Sequence, residues 1–304
     1  KIEANSELNI ADTKTLSGVT DVAENTTLKL SGSGTFGSTL NLEGTLEAGT
    51  NLTVSRIINV ADNAVVSIPD AGTTLSYSGG NLTVQAYTLK ISGAGTFSNS
   101  SNSPIVLAVE DSVLDITGNG IISGPIKLEG CTLKASGSPT ISGDITLFDD
   151  ATIEVVSGKT LSYSGASMNI GANKLTFKGG GFFNNANALV LDYPDSLLAL
   201  AGIGSIGNVK AIINANSGKG VKVTESAALD NFDLTAFSIL NIATGKTLAG
   251  QLKVNNNAEL NISGGGEYTG GIELAGGKFS VSNDKNLTGT LNLSADSEMN
   301  ILQG

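Results

Sequence analysis

Between Gln251 and Gly270 the apolar positions are Leu252, Val254, Leu260, Ile262 and Tyr268, separated by Asn- and Gly-rich stretches. Leu252 and Val254 flank Lys253, and Leu260 and Ile262 flank Asn261. Each apolar pair therefore shares one face of a short extended strand, with the polar residue pointing the other way. A helical period fits neither run. Strands this short cannot bury their own apolar face, so the pattern makes physical sense only if copies stack above and below. The copies are present. Phe232, Leu234, Leu240, Ile242 and Leu248 precede, and Ile272, Leu274, Phe279, Val281 and Leu287 follow.

The same anchors run along the chain, from Ile2, Ala4, Leu8, Ile10 and Leu16, through Val22, Leu28, Leu30 and Phe36, to Leu291, Leu293, Met299 and Ile301. The spacing predicts an all-β chain: a single-stranded right-handed parallel β-helix (β-solenoid) of about fifteen rungs of roughly 19–24 residues each. It is read as one continuous unit over 1–304, with no cap at either end and the least regular portion at 188–231. In that portion Leu197-Leu198-Ala199-Leu200 leaves the inward register open, and Ile212-Ile213 precedes a polar stretch expected to loop outward. Eight-residue steps from Leu252 to Leu260 to Tyr268 set the chain apart from a left-handed hexapeptide coil. At ~4.8 Å per rung the coil would extend roughly 70 Å. Phe36, Phe97, Phe177, Phe183 and Tyr268 fall at inward positions. Gly18, Gly143, Gly250, Gly270 and Gly289 each follow a third anchor, where a tight turn with positive φ is expected.

The repeat written as Thr39-Leu40-Asn41-Leu42-Glu43-Gly44-Thr45-Leu46, or as Gly289-Thr290-Leu291-Asn292-Leu293, resembles the passenger β-helices of secreted bacterial adhesins. The filamentous haemagglutinins and autotransporter passengers are the groups concerned, and the likeness is one of pattern and composition over essentially the whole chain. It implies a cell-surface or secreted location and a role in adhesion or fibre building. It carries over no binding residue.

Composition narrows the partners. The formal charge is −11 and the sequence pI about 4.4, which opposes binding to nucleic acid or anionic lipid. The most apolar run, 197–206, is too short to span a bilayer and is broken by Gly202 and Gly204. No signal peptide opens the chain, and Lys1-Ile2-Glu3-Ala4 already reads as part of a rung, as in a mature or excised segment. Cys131, the single cysteine, excludes an internal disulfide. Its place after Glu129-Gly130 predicts a semi-exposed thiol, and with no His in the chain nothing of that kind activates it.

Chemistry finds little material. Carbohydrate-active β-helices need convergent carboxylates and exposed stacking aromatics. Here there is no Trp, and the acidic clusters are Asp149-Asp150 and Asp192-Tyr193-Pro194-Asp195. The expectation is a protein that is not an enzyme, with no catalytic residues. A polysaccharide lyase or glycosidase using Asp149 or Asp192, or a glycan-binding module, stands as the alternative. Glu24, Glu43, Asp62, Glu129, Asp149 and Asp296 follow first strands and could line one edge of a coil, where a row of Ca²⁺ sites competes with side chains splayed into water. Ca²⁺ is the sole cofactor this allows. Lys90, Asp115, Lys134 and Glu154 would form an alternating outward column that fixes register. Asn9, Lys29, Asn241, Asn261, Ser280 and Asn300 are read into the same column elsewhere. Seven Asn-x-Ser/Thr triplets, at Asn25, Asn51, Asn81, Asn99, Asn261, Asn286 and Asn292, are potential glycosylation acceptors. The expected function is the structural rod of a bacterial surface or secreted adhesin, or a protomer of an extracellular fibre. Expected partners are the chain itself end to end, further β-helix of a longer chain, a surface glycan or a host receptor.

Overall fold

The structure, a computed structural model, describes residues 1–282, 287–294 and 296–302, without the side chains of Ser282 and Leu302. The triplet at Asn286 lies outside the described residues. Among these residues there is no helix; short strands pair in parallel from turn to turn and stack as a β-solenoid. Two compact units are formed, one from 1–148 with 159–166 and the other from 149–158 with 167–304.

In the first unit Ser6–Asn9, Thr27–Ser31, Thr45–Ala48, Ala64–Ile68, Thr88–Gly93, Val113–Ile116 and Thr132–Ala135 lie side by side in one sheet. Leu28 pairs with Leu46, Leu46 with Val66, Val66 with Ile91, Ile91 with Ile116, and Ile116 with Ala135. All of these side chains are buried, because the period-two pattern keeps one parity inside through every turn. A second buried column runs Leu52, Leu75, Phe97, Ile122, Ile141, Tyr163. The third side is built by Leu82–Val84, Ile105–Leu107, Ile126–Leu128 and Ile145–Leu147. Each fully buried aliphatic adds ~1.5–3 kcal/mol, so the continuous interior stabilises the unit without a metal or disulfide. Ile2, Leu8 and Leu16 of the first turn are half-buried, and Ala4 is exposed instead of serving as an anchor.

In the second unit the sheet comprises Ala151–Val155, Lys174–Lys178, Leu197–Ala201, Gly220–Glu225, Ser238–Ile242, Glu259–Ser263, Lys278–Ser282 and Glu298–Leu302. Ile153, Phe177, Leu200, Val223 and Ile242 form its inward column. Leu198 and Leu200 point inward, which settles the register of that strand. Register shifts occur at Leu200/Ala201 and Leu229/Phe232, and residues 212–219 leave the sheet between Ala211 and Gly220. In the last described turn Leu291, Leu293, Met299 and Ile301 stand in line with the buried Ile272, Leu274, Phe279 and Val281. All four are exposed, Ile301 by 77%.

Two sequence readings of this core need correction. Leu240 pairs with Ile262 and Ser238 with Leu260, so Asn241 faces Ser263 while Asn261 lies between Ile239 and Ser280. Asn241 and Asn261 therefore do not share a column, and neither do Asn9 and Lys29, which stand opposite Ser31 and Glu7. Between the pairs Leu234/Val254 and Ser238/Leu260 one turn has three residues, 235–237, and the next has five, 255–259, so the strand at Ser238 enters two residues early; a shift of two preserves side-chain parity and leaves no mark on the apolar pattern. The glycines also divide. Gly250 has a φ of 132° and Gly18 the same, as expected, but Gly143, Gly270 and Gly289 do not have positive φ. At Gly270 a Cβ would overlap Gly250 O, at Gly289 it would overlap Gly270 O, and at Gly143 Gly124 O. Close approach of the neighbouring backbone, not turn geometry, reserves these positions for glycine.

Candidate functional site

Turn residues do more than bend the chain. The side-chain oxygen of Asn5 accepts a hydrogen bond from the backbone N–H of Thr27 (2.9 Å), Asn51 from Thr74 (2.8 Å), Asn63 from Thr88 (2.8 Å) and Asn119 from Ser138 (2.9 Å). In the second unit Asp150 accepts from Lys174 (2.7 Å) and Asn214 from Phe237 (2.9 Å). Each satisfies a backbone donor in the following turn, at or just before the first residue of a strand, where the chain enters the sheet. From the sequence Asn51 is read as a glycosylation acceptor and Asp150 as part of an acidic cluster, and the bracing role goes unseen; the recurrence of Asn and Asp before apolar strands is the available signal.

The edge carboxylates take different heights. Glu129 is opposite Phe148, one position short of Asp149, because Leu128 pairs with Leu147. Glu43 likewise follows directly on Leu42, whereas Glu24 and Asp62 are each one residue farther from the paired Val22 and Val60. Glu24, Glu43, Asp149 and Asp296 are exposed and Asp62 and Glu129 half-exposed. No three Asp, Glu, Cys or His residues converge on a possible metal position among the described residues. Asp149 and Asp192 are engaged in local backbone contacts: Asp149 Oδ1 accepts from Asp150 N (2.7 Å) and Asp192 Oδ1 from Gly171 N (2.9 Å).

Outward charges instead alternate from turn to turn. Asp115 stands opposite both Lys90 and Lys134. Glu154 stands opposite Lys178, with Nζ and Oε2 3.1 Å apart. Lys253 lies between Asp233 and Glu273, 3.4 Å from the latter, and Lys278 between Glu259 and Glu298, 3.1 Å from the latter. The Asn300 amide, donating to Oε1 (2.8 Å), and then Lys278 hold the Glu298 carboxyl below the usual carboxylate range. The exposed pairs Lys253–Glu273 and Lys278–Glu298 contribute ~0.2–1 kcal/mol each, whereas Asp115 is buried; the main effect of the alternation is to penalise slipped registers that would set like charges together.

Cys131 is 3% exposed, not semi-exposed. It shares parity with the inward Leu133 and Ala135, so the strand pattern begins one residue before its first hydrogen-bonded position. Burial pushes its thiol up to about 11, which suppresses the reactive thiolate. Of the acceptor triplets, Asn99 is buried, its Nδ2 donating to Ser103 O (3.2 Å) and Pro125 O (2.9 Å).

One corner of the second unit gathers three exposed large apolar side chains. Tyr193, Ile212 and Ile213 are all exposed there, Tyr193 by 57%. Tyr193-Pro194-Asp195-Ser196 is a β-turn closed by Ser196 N donating to Tyr193 O (3.0 Å), with proline at its favoured second position. Tyr193 N donates to Ser196 Oγ (3.0 Å), and that hydroxyl donates to Gly171 O. The loop 212–219 leans on the turn: Asn216 N donates to Pro194 O (2.8 Å) and Asn216 Nδ2 to Asp195 Oδ1 (3.1 Å). On its other side Ala215 N donates to Phe237 O (3.0 Å).

No family model, curated protein or solved structure matches the chain. Among the described residues no helix is long and apolar enough to cross a membrane.

Proposed function

We propose that the chain is a structural segment of a bacterial cell-surface or secreted adhesin, or a subunit of an extracellular fibre built by stacking β-solenoid turns. The observation that carries the reading is the stacking of turns itself, in which inward columns such as Leu28–Leu46–Val66–Ile91–Ile116 and Ile153–Phe177–Leu200–Val223–Ile242 pass unbroken from one turn to the next. If copies stack, Leu291, Leu293, Met299 and Ile301, in register with the buried Ile272, Leu274, Phe279 and Val281, are the apolar surface they would cover. The alternating charges on the outer faces support the same reading, since they fix register without converging on a substrate.

Negative-stain electron microscopy with light scattering over a range of protein concentrations tests it. Uniform narrow filaments that lengthen with concentration support the fibre subunit, and their loss in Ile301→Lys places the joint at the last turn. Discrete particles at every concentration confine the protein to the adhesin-segment reading. Cleavage of a polysaccharide that is lost in Asp192→Asn would displace both in favour of a carbohydrate-active enzyme.

A further inference from the structure

The chain has five tyrosines. Tyr77, Tyr163 and Tyr268 are fully buried, Tyr87 is half-buried, and Tyr193 alone is exposed. An aromatic ring left in water forgoes a large hydrophobic contribution, and here its backbone is held by a proline turn, the Ser196 hydroxyl and the neighbouring loop. The ring is thus presented by a turn whose backbone is braced on both sides. Ile212 and Ile213 are exposed in the same corner, Ile212 N donating to Leu191 O (3.1 Å), and Asp195 of the turn and Asn216 of the loop present a carboxylate and a carboxamide bonded to each other.

We propose that this corner binds a neutral carbohydrate, with a pyranose ring stacked on Tyr193 and vicinal hydroxyls bonded to Asp195 and Asn216. The Asn216–Asp195 bond uses one carboxylate oxygen and the amide nitrogen, leaving Asp195 Oδ2 and Asn216 Oδ1 as acceptors for sugar hydroxyls. The apolar face of a pyranose matches an open aromatic platform, and a shallow corner admits a chain passing over it. The carboxylates of Asp192 and Asp195, in a protein of charge −11, favour a neutral over an anionic sugar, with Lys219 the single cation of the 212–219 loop. This site stands independently of the stacking role proposed above.

The test is ¹³C-tyrosine NMR of the whole chain against neutral hexasaccharides of glucose, galactose, mannose and N-acetylglucosamine, each to about 10 mM, since one exposed ring supports affinities on the order of 1 mM. At least one sugar is expected to move the Tyr193 ring signals and leave those of Tyr77, Tyr163 and Tyr268 in place. Tyr193→Ala is expected to weaken binding roughly tenfold and Tyr193→Phe to retain it. Asn216→Ala, which keeps the ring, should weaken it several-fold, and decides the matter if Tyr193→Ala melts early. The proposal is overturned if no sugar moves Tyr193, if binding survives Asn216→Ala and Tyr193→Ala, or if the Tyr193 signals shift with protein concentration alone, which would mark a contact between copies.

Discussion

Ser238 faces Leu260 across neighbouring turns, on the inward side of the sheet. Its side chain is buried and its Oγ has no hydrogen-bond partner among the described residues. A hydroxyl so placed costs about 1–3 kcal/mol in lost hydration. Ser238→Ala should therefore raise the unfolding free energy by about 1 kcal/mol, once the small cavity is discounted, and urea melts at constant m-value will read it. Unchanged or lowered stability would mean the hydroxyl is satisfied.

The stacked glycines make a sharper claim. Gly270 sits against Gly250 O and cannot accept a methyl group without backbone movement, so Gly270→Ala should cost about 3 kcal/mol or more. Gly72 has ordinary φ and open space where its Cβ would go. Gly72→Ala should be neutral or slightly stabilising, because it restricts only the unfolded chain. Equal effects in the two variants would contradict the close approach.

The contrast between Ser238 and Leu252 shows what the sequence reveals. Alternation about Lys253 and Asn261 was enough to identify strands, inward side chains and stacking, since a lone rung has nowhere else to bury Leu252 or Leu260. Register between rungs was not legible at Ser238, because it depends on turn length and a two-residue shift keeps every apolar residue inside. Cys131 was misjudged from its turn neighbours, although its parity with Leu133 pointed inward. Tyr193 was visible only as part of an acidic cluster; its exposure follows from the 212–219 loop, which no local pattern encodes.

Burial raises the pKa of Tyr77, Tyr163 and Tyr268 above the ordinary value near 10. In each folded environment the neutral phenol is favoured, so above pH ~10 the unfolded chain sheds protons that the folded chain keeps. Their contribution to stability is complete below pH ~10 and declines as pH rises towards the folded values. Tyrosinate absorbance at 295 nm should accordingly show the share of these three rings appearing together with loss of the far-ultraviolet β signal. Smooth ionisation of all five rings in a still-folded protein would refute this.

Carboxylates at unequal heights along an edge do not build a cage for a hard cation. Millimolar CaCl₂ should leave the melting temperature unchanged, as should a chelator, since a ligand stabilises only in proportion to ln(1 + [L]/Kd). A rise that saturates with Ca²⁺ and disappears in Glu129→Gln or Asp149→Asn would reinstate the row of edge sites.

The column Gly250–Gly270–Gly289 also bears on how such a chain can vary in length. Where successive backbones touch, an inserted residue would break contact with the turns on both sides at once. The corner at 192–196 and 212–219 carries no such constraint, and there a turn three residues longer than its predecessor is accommodated by hydrogen bonds to Pro194 and Phe237. Diversification by insertion has one permissive seam and one forbidden one, so new peptide segments grafted into this protein should be tolerated at 213–218 and rejected beside Gly270.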